Sequence, residues 1–351
     1  MDGEVSRGTG RERRGGDGPK DRAGAVGGER GGRPGGRGPD GAAGVEWRRV
    51  GRRWVGMLGR PWFVCALAVA LLAAPARAQE GVAADAAAAG FVARAQALAA
   101  DGETGPLTNG LHYFASNERD LDLVRAQVTG VGGVLVAVAA DPAYILAGWA
   151  EPQAIVLVDL DPAIVQLHRI YAAFFAAAQG PAAFRRLWSE EGAADGRALL
   201  TEELRAVYEE ARPAVAKRLA DVERRFADRQ VPWLLSDEVQ YRRVAGLVRG
   251  GRAVALRGDF TRDGVVRAVG EALQAGGLRV GLLYLSNIEQ YFLYTPGFRA
   301  GIAALPLAGA QVLRTLPGRP AGFEYILQRG EHFQAWTAAP GVRLPVQVCS
   351  R

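Results

Sequence analysis

Two segments decide the fold: Val134-Leu135-Val136-Ala137-Val138-Ala139-Ala140-Asp141-Pro142 and, shortly after it, Ala154-Ile155-Val156-Leu157-Val158-Asp159-Leu160-Asp161-Pro162. Each is a short, continuous apolar run that closes on acidic residues and a proline. Alternating polarity would mark a strand with one wet face; a continuous run marks one buried on both faces, as in a parallel sheet covered by helices. Proline suits the first turn of a helix, where its missing N–H has no partner to lose. Each strand is therefore expected to feed a helix. The first runs to about Trp149, and the second passes through Ile164, Leu167, His168, Tyr171 and Phe175.

The alternation recurs further along. Ala253–Arg257 reads as a strand ending at Gly258-Asp259, followed by a helix over Gly264–Ala275. Leu278–Leu285 reads as a strand ending at Ser286-Asn287, followed by a helix over Gly297–Leu305 and a strand at Gln311–Arg314. Glu324–Gln328 and His332–Thr337 alternate around Arg329-Gly330-Glu331, which predicts a closing hairpin. Residues 181–229 interrupt the pattern. Phe184, Leu187, Trp188, Val215, Leu219, Val222 and Phe226 recur at helical spacing, so this insertion is two or three helices whose apolar stripe packs on the core. The expected architecture is α/β: a doubly wound, mostly parallel sheet with a helical insertion and a C-terminal antiparallel hairpin.

The chain has 351 residues, 49% hydrophobic and 23% charged, which suits a globular domain with a sizeable core. The average hides a division. Residues 1–56 are Gly- and Arg-rich, as in Arg30-Gly31-Gly32-Arg33-Pro34-Gly35-Gly36-Arg37, with too few apolar residues to offset the entropy of ordering. They read either as a basic nucleic-acid tail or, the reading favoured, as an over-long reading frame whose start is Met57. From Met57 the sequence has the order of a secretory leader: Arg60, the apolar run Trp62–Ala74, then Ala76-Arg77-Ala78 before Gln79. A run of that length is too short to span a bilayer, which takes about 20 apolar residues. Residues 57–78 are expected to be a signal peptide, and 79–351 the mature domain, periplasmic or secreted, with no membrane span.

The formal charge of +6 is a property of the first 78 residues. The 43 Lys and Arg against 37 Asp and Glu reduce to 28 against 29 beyond that point, which excludes a basic nucleic-acid surface on the folded part. Only Cys349 lies outside the leader and tail, so no intramolecular disulfide is available. His112, His168 and His332 lie far apart and make no metal pattern.

In doubly wound sheets ligands bind beyond the carboxyl ends of the strands. The residues there are Asp141, Asp159 with Asp161, Asp259, and Ser286-Asn287-Ile288-Glu289. A carboxylate after the second strand can accept two hydrogen bonds from a ribose, and Asp259 could accept from an adenine amino group. Each has a plainer reading beside it. Asp159 and Asp259 would equally serve as helix caps, Asn287 as a turn residue, and Glu289 as a surface position. His168 reads as a satisfied core histidine. Ser286 lacks the Gly-x-Ser-x-Gly surroundings of a hydrolase elbow.

This order of strand ends resembles the class I methyltransferase core over roughly residues 130–338. More narrowly, Ser116-Asn117-Glu118, Val158-Asp159-Leu160-Asp161-Pro162, Leu167-His168-Arg169, Tyr284-Leu285-Ser286-Asn287-Ile288-Glu289-Gln290-Tyr291 and Val312-Leu313-Arg314-Thr315 resemble a family of exported bacterial proteins with that fold and no assigned activity. The resemblance implies a cofactor site at Asp141, Asp159, Asp161 and Asp259, with Ser286, Asn287 and Glu289 facing an acceptor. The chain departs from the methyltransferase pattern at Ala137 and Ala139, where glycines would let the backbone approach the cofactor. Exported proteins also do not ordinarily meet S-adenosylmethionine. The expectation is therefore a protein without a cofactor, a noncatalytic binder of a small molecule or an envelope partner. The alternative is an S-adenosylmethionine-dependent methyltransferase.

Overall fold

The structure, a computed structural model, describes residues 85–102, 107, 110–318 and 322–343. The Gly/Arg-rich segment 1–56, the expected leader 57–78 and Cys349 lie outside the described residues. Helix α1 spans 85–96. A short 3-10 turn, Leu121–Val124, runs into α2 (Arg125–Val128). The alternating part follows as β1 (Val134–Ala137), α3 (Asp141–Ala150), β2 (Ala154–Asp159) and α4 (Pro162–Ala177). The insertion is three helices, α5 (Pro181–Trp188), α6 (Ala193–Ala198) and α7 (Glu202–Asp228), and α8 (Glu238–Arg249) leads back to the sheet. Then come β3 (Ala253–Arg257), α9 (Val265–Ala275), β4 (Val280–Ser286), α10 (Pro296–Ala304), β5 (Gln311–Pro317), β6 (Phe323–Arg329) and α11 (Gly330–Ala338).

The six strands lie in the order β3-β2-β1-β4-β5-β6. All neighbours are parallel except β5 and β6, which pair antiparallel from Gln311↔Arg329 to Pro317↔Phe323. The expected second arm of the hairpin, His332–Thr337, is instead in α11. Its alternation is short, and Phe333 and Thr337, four residues apart, are its buried side chains, which is helical rather than strand spacing. The antiparallel partner of β6 is β5.

The apolar runs divide by parity. Leu135, Ala137, Ile155, Leu157, Leu282 and Tyr284 face a core shared with α3, α4, α5, α7 and α8. Val134, Val136, Val138, Val156, Val158 and Leu285 face a second core shared with α1, α9, α10 and α11. Both faces are dry, which is why the strands read as continuous hydrophobic runs. At the amino end of the sheet Gly133 (φ +64°) crosses β4 so closely that a Cβ there would lie 2.7 Å from the Gly281 nitrogen. Gly132 and Gly133 therefore serve the entry to β1, at the edge opposite the carboxyl ends. Among the described residues no helix is long and apolar enough to cross a membrane.

Candidate functional site

The sheet order reverses direction between β1 and β4, and the crevice outside that switch point is where doubly wound folds place ligands. A cavity of about 440 Å³ lies there. Its floor is formed by the strand ends: Val138-Ala139, Val158-Asp159-Leu160-Asp161, Gly258-Asp259-Phe260 and Ser286-Asn287-Ile288. Its outer wall is a strap of chain, Leu111 to Asn117, and its rim carries the half-exposed apolar side chains of Leu111, Tyr113 and Tyr291. None of the described residues lining it is Lys, Arg or His.

The three carboxylates on the floor are held differently. Asp161 caps α4, accepting from the Ala163 N–H at 2.8 Å with Oδ1, while Oδ2 meets Nδ1 of His112 at 2.7 Å. Asp159 does not cap the helix; its Oδ1 accepts from the Asp161 N–H at 2.9 Å, inside the turn that leads to the cap. Burial pushes the Asp159 carboxyl up to about 6, against backbone N–H groups that favour its charge. Asp259 accepts from both the N–H and the hydroxyl of Thr261 and lies 3.4 Å from Nε of Arg262. The start of α9 is instead held by Asp101, which accepts from Val265 N–H at 3.0 Å and Asp259 N–H at 2.8 Å. Asp101 stands in a stretch without periodicity, and nothing in the sequence singled it out.

Two expected site residues lie elsewhere. Asp141 does not line the cavity. It is buried, accepting from Ser116 N–H at 2.9 Å and from Nε of Arg218 in α7 at 2.7 Å. A carboxylate at the first turn of a helix is already favoured by the dipole, and the insertion supplies its counter-ion. Glu289 is also buried rather than facing an acceptor. It takes Nε and Nη2 of Arg314 at 2.6 and 3.0 Å, and the Tyr294 hydroxyl as well. Both partners of that ion pair are fully buried, and Arg314 also lies 5.2 Å over the Phe333 ring, so the pair is part of the core under β5.

Ser286 and Asn287 do line the cavity. Four described non-glycine residues have left-handed backbone, and two of them, Ala139 (φ +64°) and Ser286 (φ +48°), are on this floor. Such residues hold strain of order 1–3 kcal/mol and concentrate at functional sites. Ala139 follows β1 directly, in a backbone conformation that glycine adopts more readily. The Ser286 hydroxyl donates to Oε1 of Glu118 at 2.6 Å. Glu118 is almost wholly buried, and burial raises its pKa. Tyr284 and Thr315 turn hydroxyls towards it, yet Glu118 Oε2, Tyr284 Oη and Thr315 Oγ1 close no hydrogen bond. His168 is a core residue beside Tyr144, 3.2 Å from its hydroxyl, with its pKa lowered to about 3 by burial. Among the described residues no group of His, Cys, Asp and Glu could hold a metal ion.

No curated protein matches the chain. The model of one family, the domain of unknown function DUF7790, matches residues 113–350, which takes in most of the strap, the whole sheet and the cavity floor, and the chain therefore belongs to that family.

Proposed function

We propose that the protein is an exported binder of a small molecule, using a methyltransferase-like fold without transferring methyl groups, and that its ligand brings hydrogen-bond donors and no strong anion. The observation that carries this reading is the cavity floor: Asp159, Asp161 and Asp259 converge at the switch point, and none of the described lining residues is Lys, Arg or His, while His112 and Arg262 meet Asp161 and Asp259 from outside the lining. Ionised carboxylates only accept hydrogen bonds, so hydroxyl or amine groups suit them and phosphates do not. The N-termini of α4 and α9 are capped by Asp161 and Asp101, and the first turn of α3, the helix after β1, carries the acidic Asp141, which disfavours a phosphate there. The apolar rim suits a ligand with a hydrocarbon part.

A second reading, an S-adenosylmethionine-dependent methyltransferase, is favoured by Ala139, which preserves the left-handed turn beside Asp159 at the end of β2. Against it, Ala137 and Ala139 each carry a Cβ where the methyltransferase pattern has glycine, and none of the described lining residues is a cation for the cofactor's carboxylate.

Thermal shift of the mature chain separates these readings. The panel is adenosine, S-adenosylmethionine, its demethylated product, NAD and a set of neutral polyols and amines. Saturation at a hundredfold excess over Kd stabilises by about 2.7 kcal/mol. Shifts with uncharged or amine ligands, lost in Asp159→Asn, are expected. A shift with NAD alone would overturn the first reading, and one confined to S-adenosylmethionine and its product would establish the second. Export is tested separately: amino-terminal sequencing of the envelope or secreted fraction should begin at or near Gln79, and a cytoplasmic chain retaining Met57 would refute it.

A further inference from the structure

Ser286, on the cavity floor, is hydrogen-bonded to the buried Glu118. Ser286 ends β4, where the pairing with β5 shifts register between Tyr284 and Ser286, and its backbone is left-handed. A serine held in a strained turn at the carboxyl end of a central parallel strand is the arrangement that presents a nucleophile in α/β hydrolases. There glycines two residues either side relieve the crowding; here Tyr284 and Ile288 take those places, so the sequence carries no such signature. The serine hydroxyl already points its proton at a carboxylate 2.6 Å away. Among the described residues no cation pairs with that carboxylate, and its second oxygen is buried without a hydrogen bond. Asn117 and Asn287 line the same cavity and carry amide donors.

We propose that Ser286 is a nucleophile activated by Glu118, and that the cavity acts on uncharged carboxylic esters with an apolar acyl or alcohol part. The Ser286 Oγ attacks the ester carbonyl carbon as its proton passes to Glu118. Asn117 and Asn287 are the donors within the cavity for the oxyanion that forms. The carbon–oxygen bond to the alcohol breaks, the alcohol leaves with the proton from Glu118, and an acyl-serine remains. Water then attacks the acyl carbon, gives its proton to Glu118, and Ser286 departs with that proton as the acid product is released. Atoms and charge balance, and water is the sole co-reactant. The floor carboxylates accept hydrogen bonds only, so an uncharged ester that also bears hydroxyl groups suits them, and the Leu111, Tyr113, Ile288 and Phe292 side chains suit its hydrocarbon part.

The mature chain is treated with a fluorophosphonate bearing an alkyl chain, and digested for mass spectrometry. The phosphorus–oxygen bond to Ser286 forms as fluoride leaves, so the reaction reports the nucleophile without knowledge of the natural ester. The expected result is one adduct, on Ser286, absent in Ser286→Ala. In Glu118→Gln, which keeps the hydrogen bond but cannot take the proton, labelling slows by about 100-fold or more, the usual worth of a general base. Circular dichroism confirms folding of each variant. If Glu118→Gln does not fold, Glu118→Asp, which retains a carboxylate on a shorter arm, is used, and slowed labelling with an intact fold is the supporting outcome. No adduct on the folded wild-type chain, an adduct surviving Ser286→Ala, or unchanged labelling in a folded Glu118 variant overturns the proposal. None of these results depends on the thermal-shift panel, so ligand binding and ester chemistry stand or fall independently.

Discussion

Asp159→Asn should make the free protein more stable at neutral pH. The carboxyl is partly buried at the end of β2, and its pKa is raised from 3.8 to about 6, chiefly by desolvation and also by the neighbouring Asp161 charge. A group whose folded pKa lies above its unfolded value stabilises the fold when protonated, and that stability is lost as pH rises through the folded pKa. Linkage between 3.8 and 6 gives a penalty of about 1 kcal/mol at pH 4.5, growing to about 3 kcal/mol at pH 7.5. Asparagine removes the charge and keeps an oxygen for the Asp161 N–H, which now lies at 2.9 Å. The variant should therefore gain about 2 kcal/mol on wild type between those two pH values. Urea denaturation at both pH values, followed by circular dichroism, measures it. A variant less stable than wild type at pH 7.5, or a difference that does not change with pH, would refute the reasoning. A residue that costs stability in the unliganded state is retained for something other than folding, which is what a ligand contact requires.

Two further substitutions probe the surroundings of the cavity. Arg218→Met leaves the buried Asp141 without its counter-ion and should cost about 3–5 kcal/mol in a denaturant titration, whereas a loss below about 1 kcal/mol would mean that Ser116 N–H alone satisfies the carboxylate. Ala139→Gly relieves a left-handed alanine, worth about 1–2 kcal/mol, but adds about 0.5–1 kcal/mol of backbone entropy loss; a net gain of up to about 1.5 kcal/mol in thermal unfolding is expected, and a net loss would show that the Cβ packs productively on the cavity floor.

The sheet was legible because its signals are local. Apolar runs at 134–138, 154–158 and 280–285, each punctuated by acidic residues, glycine or proline, report burial on both faces without any knowledge of partners. The carboxyl-end edge was legible for the same reason, since a parallel strand delivers its last residue there whatever follows. Asp159, Asp161, Asp259, Ser286 and Asn287 accordingly meet at one cavity. What failed was everything decided by residues distant in sequence. Asp141 looks like Asp159, an acid before a helix, and only the arrival of Arg218 from 77 residues on turns it into a core ion pair. Glu289 sits three residues from Ser286, but Arg314 of β5 draws it inward. The alternation at His332–Thr337 is too short to separate a strand from a helix. Asp101 and His112 belong to chain that carries no periodicity, and their roles as clamps at α9 and on Asp161 arise only when that chain crosses the strand ends.

The helical insertion reads in the sequence as an interruption of the fold, and in the structure it helps to build the cavity. Arg218 of α7 neutralises Asp141; Asp141 accepts the backbone N–H of Ser116; the Ser116 hydroxyl accepts the N–H of Glu118 at 3.0 Å; and Glu118 receives the hydroxyl of Ser286 on the floor. The strap between Leu111 and Asn117, which supplies the outer wall, is fixed at this end by that series and near its start by His112 on Asp161. Each link is a side chain to a backbone N–H, a buried hydroxyl or a charge, groups that are costly to leave unpaired once dry. A sheet edge alone leaves an open crevice; the insertion closes it by holding the strap at a set height above the carboxylates. Variation in α7 would then change the size and contents of the cavity without touching any residue that lines it.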